Sequence, residues 1–243
     1  MIRSVLGKLY IVWVLIVFIG VMIIFLPGFL IPPIFGSRAV VVTHFFIKCW
    51  SRIFSVLNFI PYEIRHRDRI KRGKAYIFVS NHTSFMDIPA LVVTIKGQFR
   101  ALAKKELLKL PVFGWIAQIM CVVVDRSSIE SRRKSMDNLK HILSIAISVL
   151  IFPEGTQNRT KEPLQPFYDG AFRIAVETQQ PIIPIVVIGA GQIMPPGKAF
   201  IQPGKIIVVV GEEIPTIGLT LAEVKDLREK VFGVMSRMII SNK

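Results

Sequence analysis

A histidine and an aspartate five residues apart are the part of this sequence most able to do chemistry. His82 and Asp87 lie in the segment 81–87, which follows an apolar run at 75–80. That run is typical of a buried strand, and a helical pattern opens near Ile88. Because catalytic groups in α/β sheets gather at the carboxyl ends of the strands, His82 is a candidate general base with Asp87 as its orienting partner.

The same pair also has a purely structural interpretation. Asp87 is a good N-cap residue with Pro89 in the first helical turn, and a single loop histidine is usually only solvated. On a continuous helix, side chains five positions apart would point about 140° away from each other. The two residues can therefore act together only if the chain turns between them.

Three further segments extend this pair into a longer pattern. The first is Lys-Lys-Glu-Leu at 104–107, followed by Pro111 and by Phe-Gly at 113–114. The second is Phe-Pro-Glu-Gly-Thr-Gln-Asn-Arg at 152–159, and the third is the apolar run at 182–186. Together with the histidine and aspartate, four blocks in this order resemble the family of 1-acyl-sn-glycerol-3-phosphate acyltransferases.

The resemblance implies a fold, a reaction and a set of binding residues. The fold is α/β, a mixed and largely parallel sheet flanked by helices, as in glycerol-3-phosphate acyltransferases. The reaction moves a fatty acyl group from acyl-carrier protein or coenzyme A to the sn-2 hydroxyl of 1-acyl-sn-glycerol 3-phosphate, which gives phosphatidic acid. The family's glutamate and arginine that help to hold the glycerol phosphate correspond here to Glu154 and Arg159. Gly155 and Thr156 belong to the same block, although the glycine also suits a tight turn after a strand.

Two positions depart from the family's common pattern. Gln157 stands where an arginine is usual, and Tyr168-Asp169 stands where a lysine often precedes the glycine and alanine. Both changes remove positive charge near the expected phosphate, so the sequence leaves the identity of the acceptor's headgroup open. The alternative acceptor is another lysolipid or an amino-acid lipid, and the alternative from another class is a non-catalytic, membrane-anchored lipid-binding protein.

Acyl transfer from a thioester to an alcohol requires a general base, and binding of an acceptor that carries a phosphate requires cations. The thioester is already activated, so no protein nucleophile is needed. Arg159 offers a planar fork for the acceptor's phosphate, and Lys105 offers a second positive charge. Ser84 is better explained as a helix cap and Cys121 as part of a buried strand. The four histidines lack ligand spacing, so neither a metal nor a cofactor is expected.

The distribution of charge favours a membrane over a nucleic acid as the partner. The 243 residues have a mean hydropathy of +0.53 and a formal net charge of +15. Residues 1–60 contain five basic residues and no acidic one, 61–135 contain fifteen against six, and 136–243 contain eleven against ten. The excess lies beside the most apolar part of the chain, where it attracts an anionic membrane surface at about 1 kcal/mol per basic residue. A nucleic-acid binder would more often carry its charge on a soluble face.

Residues 1–60 are expected to form a two-helix membrane anchor. The uncharged stretch 9–26 would make a helix about 27 Å long, which just crosses a hydrocarbon core. No small-residue cleavage site follows it, and the prolines and glycines at 27–36 are expected to end the helix. A second, amphipathic helix at 38–60 would lie in the interface with its basic residues in one sector of about 80°. Those residues are Arg38, Lys48 and Arg52. Basic residues flank both helices but not the turn, which predicts that both ends face the cytoplasmic side of the inner membrane.

Residues 61–243 are expected to form one α/β acyltransferase domain. A strand at 62–70 would place Arg65, Arg67 and Arg69 on one face, which suits either a membrane-facing surface or a solvated edge strand. Further strands are predicted to alternate with helices, which favours a largely parallel sheet. The predicted strands lie at 99–103, 121–124, 148–152, 183–188 and 206–210, and the predicted helices at 129–145, 170–178 and 220–240.

Overall fold

The computed structural model describes residues 2–36, 39–109, 112–125 and 127–242. Arg38, where the sequence predicts the second helix to begin, and Pro111 of the second block lie outside these ranges. In chain order the helices are α1 Ile2–Leu30, α2 Val40–Leu57, α3 Asp87–Thr94, α4 Phe113–Met120, α5 Ile129–Ser144, α6 Gly170–Thr178, α7 Ala190–Ile193 and α8 Val224–Ile240. The strands are β1 Tyr62–Arg65, β2 Ile77–Ser80, β3 Phe99–Lys104, β4 Cys121–Val124, β5 Ser148–Ile151, β6 Ile182–Ile188 and β7 Ile206–Val210.

The described strands form one seven-stranded sheet in the order β1-β7-β6-β2-β5-β3-β4. All neighbouring pairs are parallel except β6 and β7. The mixed, largely parallel sheet predicted from the sequence is therefore confirmed. β2 lies between β5 and β6, and all of its residues are buried because both faces of the sheet are covered. Its carboxyl end consequently opens onto the same edge as the carboxyl ends of β5 and β6.

Helices cover the sheet on both faces. Side chains from α1 to α4 share one core cluster with Phe78 of β2, whereas α5, α6 and α8 share the other with Ile77 and Val79. Successive strand residues point to opposite faces, so the three β2 residues divide between the two clusters. The N-terminal helices thus contribute to the same core as the sheet.

α1 and α2 pack against each other as an antiparallel hairpin. Tyr10 donates a hydrogen bond from its hydroxyl to the Asn58 carbonyl, and Trp13 donates one of 3.0 Å from Nε1 to the Leu57 carbonyl. Further along the hairpin, the ring of Phe18 lies edge-on at 5.5 Å from that of Trp50. The beginning of α1 therefore lies beside the end of α2, where the chain enters the sheet.

α1 ends at Leu30, within the segment 27–36 that the sequence predicts to end it, but it continues through Pro27 for three residues first. Phe29 is buried there, and the Thr43 hydroxyl donates a hydrogen bond of 3.3 Å to its carbonyl. Gly28 permits this approach, because a Cβ atom at that position would lie 2.5 Å from the ring of Phe46. Packing against α2 therefore outweighs the hydrogen bond that a proline cannot make.

The outer side of the hairpin is apolar and exposed to a degree that is unusual for a protein in water. Two stretches, Val5–Phe35 and Val40–Leu57, are long and apolar enough to cross a membrane, with mean hydropathies of 3.1 and 1.4. The described residues that directly follow α1 are apolar as well, and Ile34 and Phe35 are both more than three-quarters exposed, at 79% and 78%. These features suggest membrane association.

The strand predicted at 62–70 is shorter than expected. β1 ends at Arg65, and a 3₁₀ turn follows it. Arg67 donates two hydrogen bonds of 2.9 Å to the last carbonyls of α3, and Arg69 donates one of 2.8 Å to the end of β7. The prediction that the three arginines share one strand face is therefore wrong, because unpaired carbonyls draw two of them into the protein. β1 does form an edge of the sheet.

Candidate active site

The edge formed by the carboxyl ends of the strands brings the sequence blocks together. The segment 81–87 follows β2, and 152–159 follows β5, which is paired with β2 on one side. β6 is paired with β2 on the other side, and Lys105 follows β3 on the far side of β5. Neighbouring strands lie about 4.8 Å apart, so the backbone of Lys105 lies roughly 10 Å from the axis of β2.

His82 and Asp87 are in direct contact. Nδ1 of His82 lies 2.8 Å from Oδ2 of Asp87, whose side chain is completely buried, while the histidine side chain keeps 17% of its surface exposed. The same carboxylate oxygen accepts the backbone N–H groups of Thr83 and Ser84 at 2.7 and 2.8 Å. These bonds turn the chain between the two residues. With Nδ1–H directed to Asp87, Nε2 of the imidazole is left as the proton acceptor.

The segment after β5 holds His82 in place. The ring of His82 stacks on that of Phe152 with centroids 4.3 Å apart and an interplanar angle of 24°. Its backbone N–H donates to Oε1 of Glu154 at 2.9 Å, and its carbonyl accepts the N–H of Asn158 at 2.6 Å. The imidazole is therefore fixed by its ring face, by Nδ1 and by both of its own backbone groups.

Glu154 contacts backbone with both of its carboxylate oxygens. Oε1 accepts from His82, and Oε2 accepts the N–H of Gln165 at 2.8 Å. Only 3% of the residue is exposed, and this burial raises the pKa of the Glu154 carboxyl, although the two N–H donors oppose the shift. The geometry favours a positioning role in which Glu154 ties the histidine loop to the segment after β5.

The two predicted phosphate-binding cations differ in how they are paired. Arg159 is exposed, its guanidinium lies beside Gly197, and it forms no ion pair or hydrogen bond with any residue that the structure describes. Nζ of Lys105 instead lies 3.2 Å from Oδ2 of Asp125. Hydrogen bonds from Ser127 and the nearby Lys105 ammonium lower the pKa of Asp125 to about 2. Arg159 is therefore the cation more available to an anionic ligand.

The remaining residues of the block at 152–159 have distinct surroundings. Gly155 has a φ of 73° and its N–H donates to the Phe152 carbonyl at 3.0 Å, as the tight-turn interpretation requires. Thr156 follows this turn and is exposed. Gln157 has a buried Nε2 that bonds to no described residue. Among the departures from the family pattern, only Asp169 carries a charge, and it is paired at 2.6 Å with Arg228.

Neither alternative nucleophile has the surroundings of a reactive group. The Ser84 hydroxyl accepts the N–H of Met86 at 3.1 Å and donates to the Met194 carbonyl at 2.8 Å. It does not cap α3 as predicted, because the N-cap residue of that helix is Met86. Burial raises the pKa of the Cys121 thiol to about 11, so it remains protonated at neutral pH. Within the described ranges, no three histidine, cysteine, aspartate or glutamate side chains group as metal ligands.

Asn81 is a structural member of the site that sequence reasoning missed. Its side-chain amide donates to the Val187 carbonyl at 2.9 Å and accepts the Val187 N–H at 2.8 Å. It thereby continues the pairing of β2 with β6 up to the residue before the histidine. The place of Asn81 at the end of a strand, directly before His82, is consistent with a structural role. The local sequence does not identify its partner, which lies 106 residues away.

Comparison with known proteins gives consistent family matches. The sequence profile of the family described as Acyltransferase matches residues 61–188. An uncharacterized acyltransferase from Schizosaccharomyces pombe is 31% identical over 201 residues, which cover 79% of this chain and 70% of that protein. Human 1-acyl-sn-glycerol-3-phosphate acyltransferase beta is 33% identical over 74% of this chain and 66% of its own length. A chloroplastic 1-acyl-sn-glycerol-3-phosphate acyltransferase of Brassica napus is 32% identical over 70% of this chain and half of its own.

A solved structure shares the fold almost from end to end. The crystal structure of the 1-acyl-sn-glycerophosphate acyltransferase PlsC from Thermotoga maritima superposes with a TM-score of 0.83, over 98% of this chain and 97% of the other. The two sequences are 23% identical, so the likeness concerns the fold. It includes the helical hairpin as well as the sheet, because the superposition covers nearly the whole chain.

Proposed function

The chain belongs to the 1-acyl-sn-glycerol-3-phosphate acyltransferase family, and we propose that it acylates the sn-2 hydroxyl of 1-acyl-sn-glycerol 3-phosphate at a membrane surface. The acyl donor is a thioester of acyl-carrier protein or of coenzyme A, and the product is phosphatidic acid. The observation that carries the proposal is the 2.8 Å contact between Nδ1 of His82 and Oδ2 of Asp87. It leaves Nε2 of His82 as a base at this edge of the sheet, and Arg159 follows Asn158, whose N–H binds the His82 carbonyl.

Each step of the transfer has a group in this chain to support it. Nε2 of His82 takes the proton as the acceptor's hydroxyl oxygen attacks the thioester carbonyl carbon. The buried Asp87 carboxylate stabilises the imidazolium that forms and keeps its ring oriented. When the carbon–sulfur bond breaks, the imidazolium returns the proton to the leaving thiolate. The reaction needs no cofactor, because the thioester itself supplies the activation.

Arg159 is proposed to bind the phosphate of the acceptor. It has no acidic partner among the described residues, and its planar guanidinium can bind two phosphate oxygens at once. Lys105 adds a second charge but must share it with Asp125. Thr156 is exposed in the same block as Arg159, and its hydroxyl is proposed to contact the glycerol.

One feature supports testing other acceptors alongside lysophosphatidate. The buried Nε2 of Gln157 is an N–H donor with no described partner, in the block that would surround the headgroup. A buried donor of this kind favours a ligand that can accept its hydrogen bond. Lysophosphatidate, other lysolipids and amino-acid lipids therefore belong in one acceptor panel.

The hairpin of α1 and α2 is proposed to hold the site at the headgroup depth of the membrane. Its exposed apolar surface supports membrane insertion, and the acceptor's own acyl chain stays among the lipids. Basic residues lie before Leu9 and from Arg38 onwards and are absent from residues 9–37, which supports placing the catalytic domain on the cytoplasmic face. The inner membrane of the cell is the proposed location.

The deciding experiment measures acyl transfer by purified His82→Ala protein. Labelled acyl-coenzyme A and acyl-carrier protein are each supplied with the acceptor panel. The rate should fall by a factor of about 10² to 10⁴, as is typical when a general base is removed. The matched control is His141→Ala, an exposed histidine on α5, which should keep the parent rate. A His82→Ala rate within about tenfold of the parent would rule out the proposed mechanism.

A further inference from the structure

Four basic side chains gather where α2 passes the carboxyl end of α3. They are Lys48 and Arg52 on α2, Arg67 in the turn after β1, and Arg72 in the loop before β2. The positive charges of the three arginines all act on Lys48, and those of Arg52 and Arg72 also act on Arg67. We call this group the four-cation cluster.

Two members of the cluster are anchored to the protein. Nζ of Lys48 donates to the Ile95 carbonyl at 2.7 Å, and Arg67 donates from Nε and Nη2 to the Thr94 and Val93 carbonyls at 2.9 Å each. These carbonyls end α3, where the helix carries a partial negative charge that attracts cations. The two anchored side chains therefore have a structural role.

The other two members have no such role. Arg52 and Arg72 are exposed, and neither forms a hydrogen bond or ion pair with a residue that the structure describes. No described carboxylate lies within ion-pair distance of any of the four cations, although Asp68 is adjacent to Arg67 in the chain. Burial and the positive charges of Arg52 and Arg72 lower the pKa of the Arg67 guanidinium. A concentration of positive charge without a counter-ion is a binding site for an anion.

The position of Arg52 indicates where that anion comes from. Along α2, exposed Phe45 and Val56 lie seven residues before and four residues after Arg52, which places them on the same side of the helix. This is the apolar surface proposed to face lipid. Arginine beside lipid hydrocarbon is unfavourable unless it is paired, and the anionic group available at the membrane surface is a phospholipid phosphate.

We propose that the four-cation cluster binds the headgroup phosphate of an anionic membrane phospholipid. Arg52 and Arg72 contact the phosphate directly with their guanidinium forks, while Lys48 and Arg67 supply positive potential behind them. α3 separates this site from the catalytic one, because its eight residues span about 12 Å between Asp87 and the cluster. The inference rests on the proposed membrane association and does not depend on acyl transfer.

The test is native mass spectrometry of the full chain, which is released from detergent micelles inside the instrument. The number of lipid molecules that remain bound to each protein molecule is counted. The micelles contain equal amounts of phosphatidylglycerol and phosphatidylcholine with identical acyl chains. The parent should carry about ten times more phosphatidylglycerol than phosphatidylcholine, and Arg52→Gln/Arg72→Gln should reduce that ratio about tenfold, to near unity. The single change Arg72→Gln lies outside the hairpin and should lower the ratio in the same direction.

Controls separate a specific site from general attraction. Arg132→Gln/Arg133→Gln removes the same charge from exposed positions on α5 and should keep the parent's ratio. His82→Ala should also keep it, so a failure of the proposed chemistry leaves this test intact. The proposal is overturned if Arg52→Gln/Arg72→Gln keeps the ratio or if the α5 variant loses it equally. It is also overturned if inorganic phosphate raises the Tm of the parent as much as the same concentration of dihexanoyl-phosphatidylglycerol does.

Discussion

Glu154 accepts a 2.9 Å hydrogen bond from the backbone N–H of His82, 72 residues before it in the chain. Because the other carboxylate oxygen binds the N–H of Gln165, the side chain joins two loops and has no oxygen left without a bond. The carboxylate is thus part of the support of the base. In this arrangement a glutamate of the family's acceptor-binding block acts on the histidine.

Glu154→Gln should lower kcat more than it changes the KM for the acceptor. The amide keeps one oxygen but turns an NH₂ group towards a buried N–H, and an unsatisfied buried donor costs roughly 1–3 kcal/mol. We expect kcat to fall by about tenfold or more, since 1.4 kcal/mol corresponds to a factor of ten. Steady-state kinetics with varied acceptor will measure both constants. A rise in acceptor KM with unchanged kcat would instead assign Glu154 to acceptor binding.

Asp87→Asn should abolish most activity and also weaken the fold. Oδ2 of Asp87 accepts three hydrogen bonds, from the His82 ring and from two backbone N–H groups, and an amide cannot hold the same tautomer of the ring. The free energy of unfolding should drop by about 1–3 kcal/mol. Transfer assays and chemical denaturation measure the two effects. Asp68→Asn, at an exposed acid that forms no ion pair with a described residue, should change neither.

Arg159→Ala should raise the KM for the acceptor more than Lys105→Ala does. Arg159 is unpaired among the described residues, whereas Lys105 shares its charge with Asp125. Asp125→Asn should accordingly lower the acceptor KM, because it releases the lysine. Lys161→Ala removes a nearby exposed charge and serves as the control. If only the KM for the acyl donor rises in the Arg159 and Lys105 variants, the two cations belong to the donor site.

Gly28→Ala should destabilise the hairpin, whereas Gly20→Ala should not. A Cβ atom at Gly28 would lie 2.5 Å from the Phe46 ring, but one at Gly20 meets nothing within 4 Å. Overpacking costs about 1–3 kcal/mol, and alanine in an open helical position is favourable. Thermal unfolding of the two variants in detergent should give a lower Tm for the first only. Equal Tm values would show that α1 and α2 do not need this close approach.

Both ends of the chain should react with an impermeant thiol reagent in sealed, inverted membrane vesicles, where the cytoplasmic face is outward. The variants Ser4→Cys and Ser241→Cys are placed in a protein from which Cys49 and Cys121 have been removed. Ile34→Cys in the connection between the helices should remain unlabelled, because the proposed hairpin buries or translocates it. Labelling of only one of the two ends would contradict the same-side topology.

Local sequence patterns determined the elements of this fold and the identity of the candidate base. Alternating apolar runs and amphipathic stretches predicted the strands and helices because burial selects side chains at the period of each element. α1 nevertheless continues three residues past Pro27, since the cost of a proline is local whereas the packing against Phe46 of α2 comes from another helix. The prediction for the arginines after β1 was wrong for a similar reason, because the carbonyls that bind Arg67 and Arg69 belong to elements distant in sequence.

The partners of the site residues were decided only by the tertiary structure. The order of the strands places β2 between β5 and β6, and that order brings Glu154 and Asn158 to His82, and Val187 to Asn81. It also leaves Lys105 beside Asp125 and Arg159 without an acid among the described residues. The residue type alone predicts that a buried carboxylate or amide needs hydrogen-bond partners. Which groups become those partners depends on contacts between strands far apart in sequence, and no local pattern encodes that pairing.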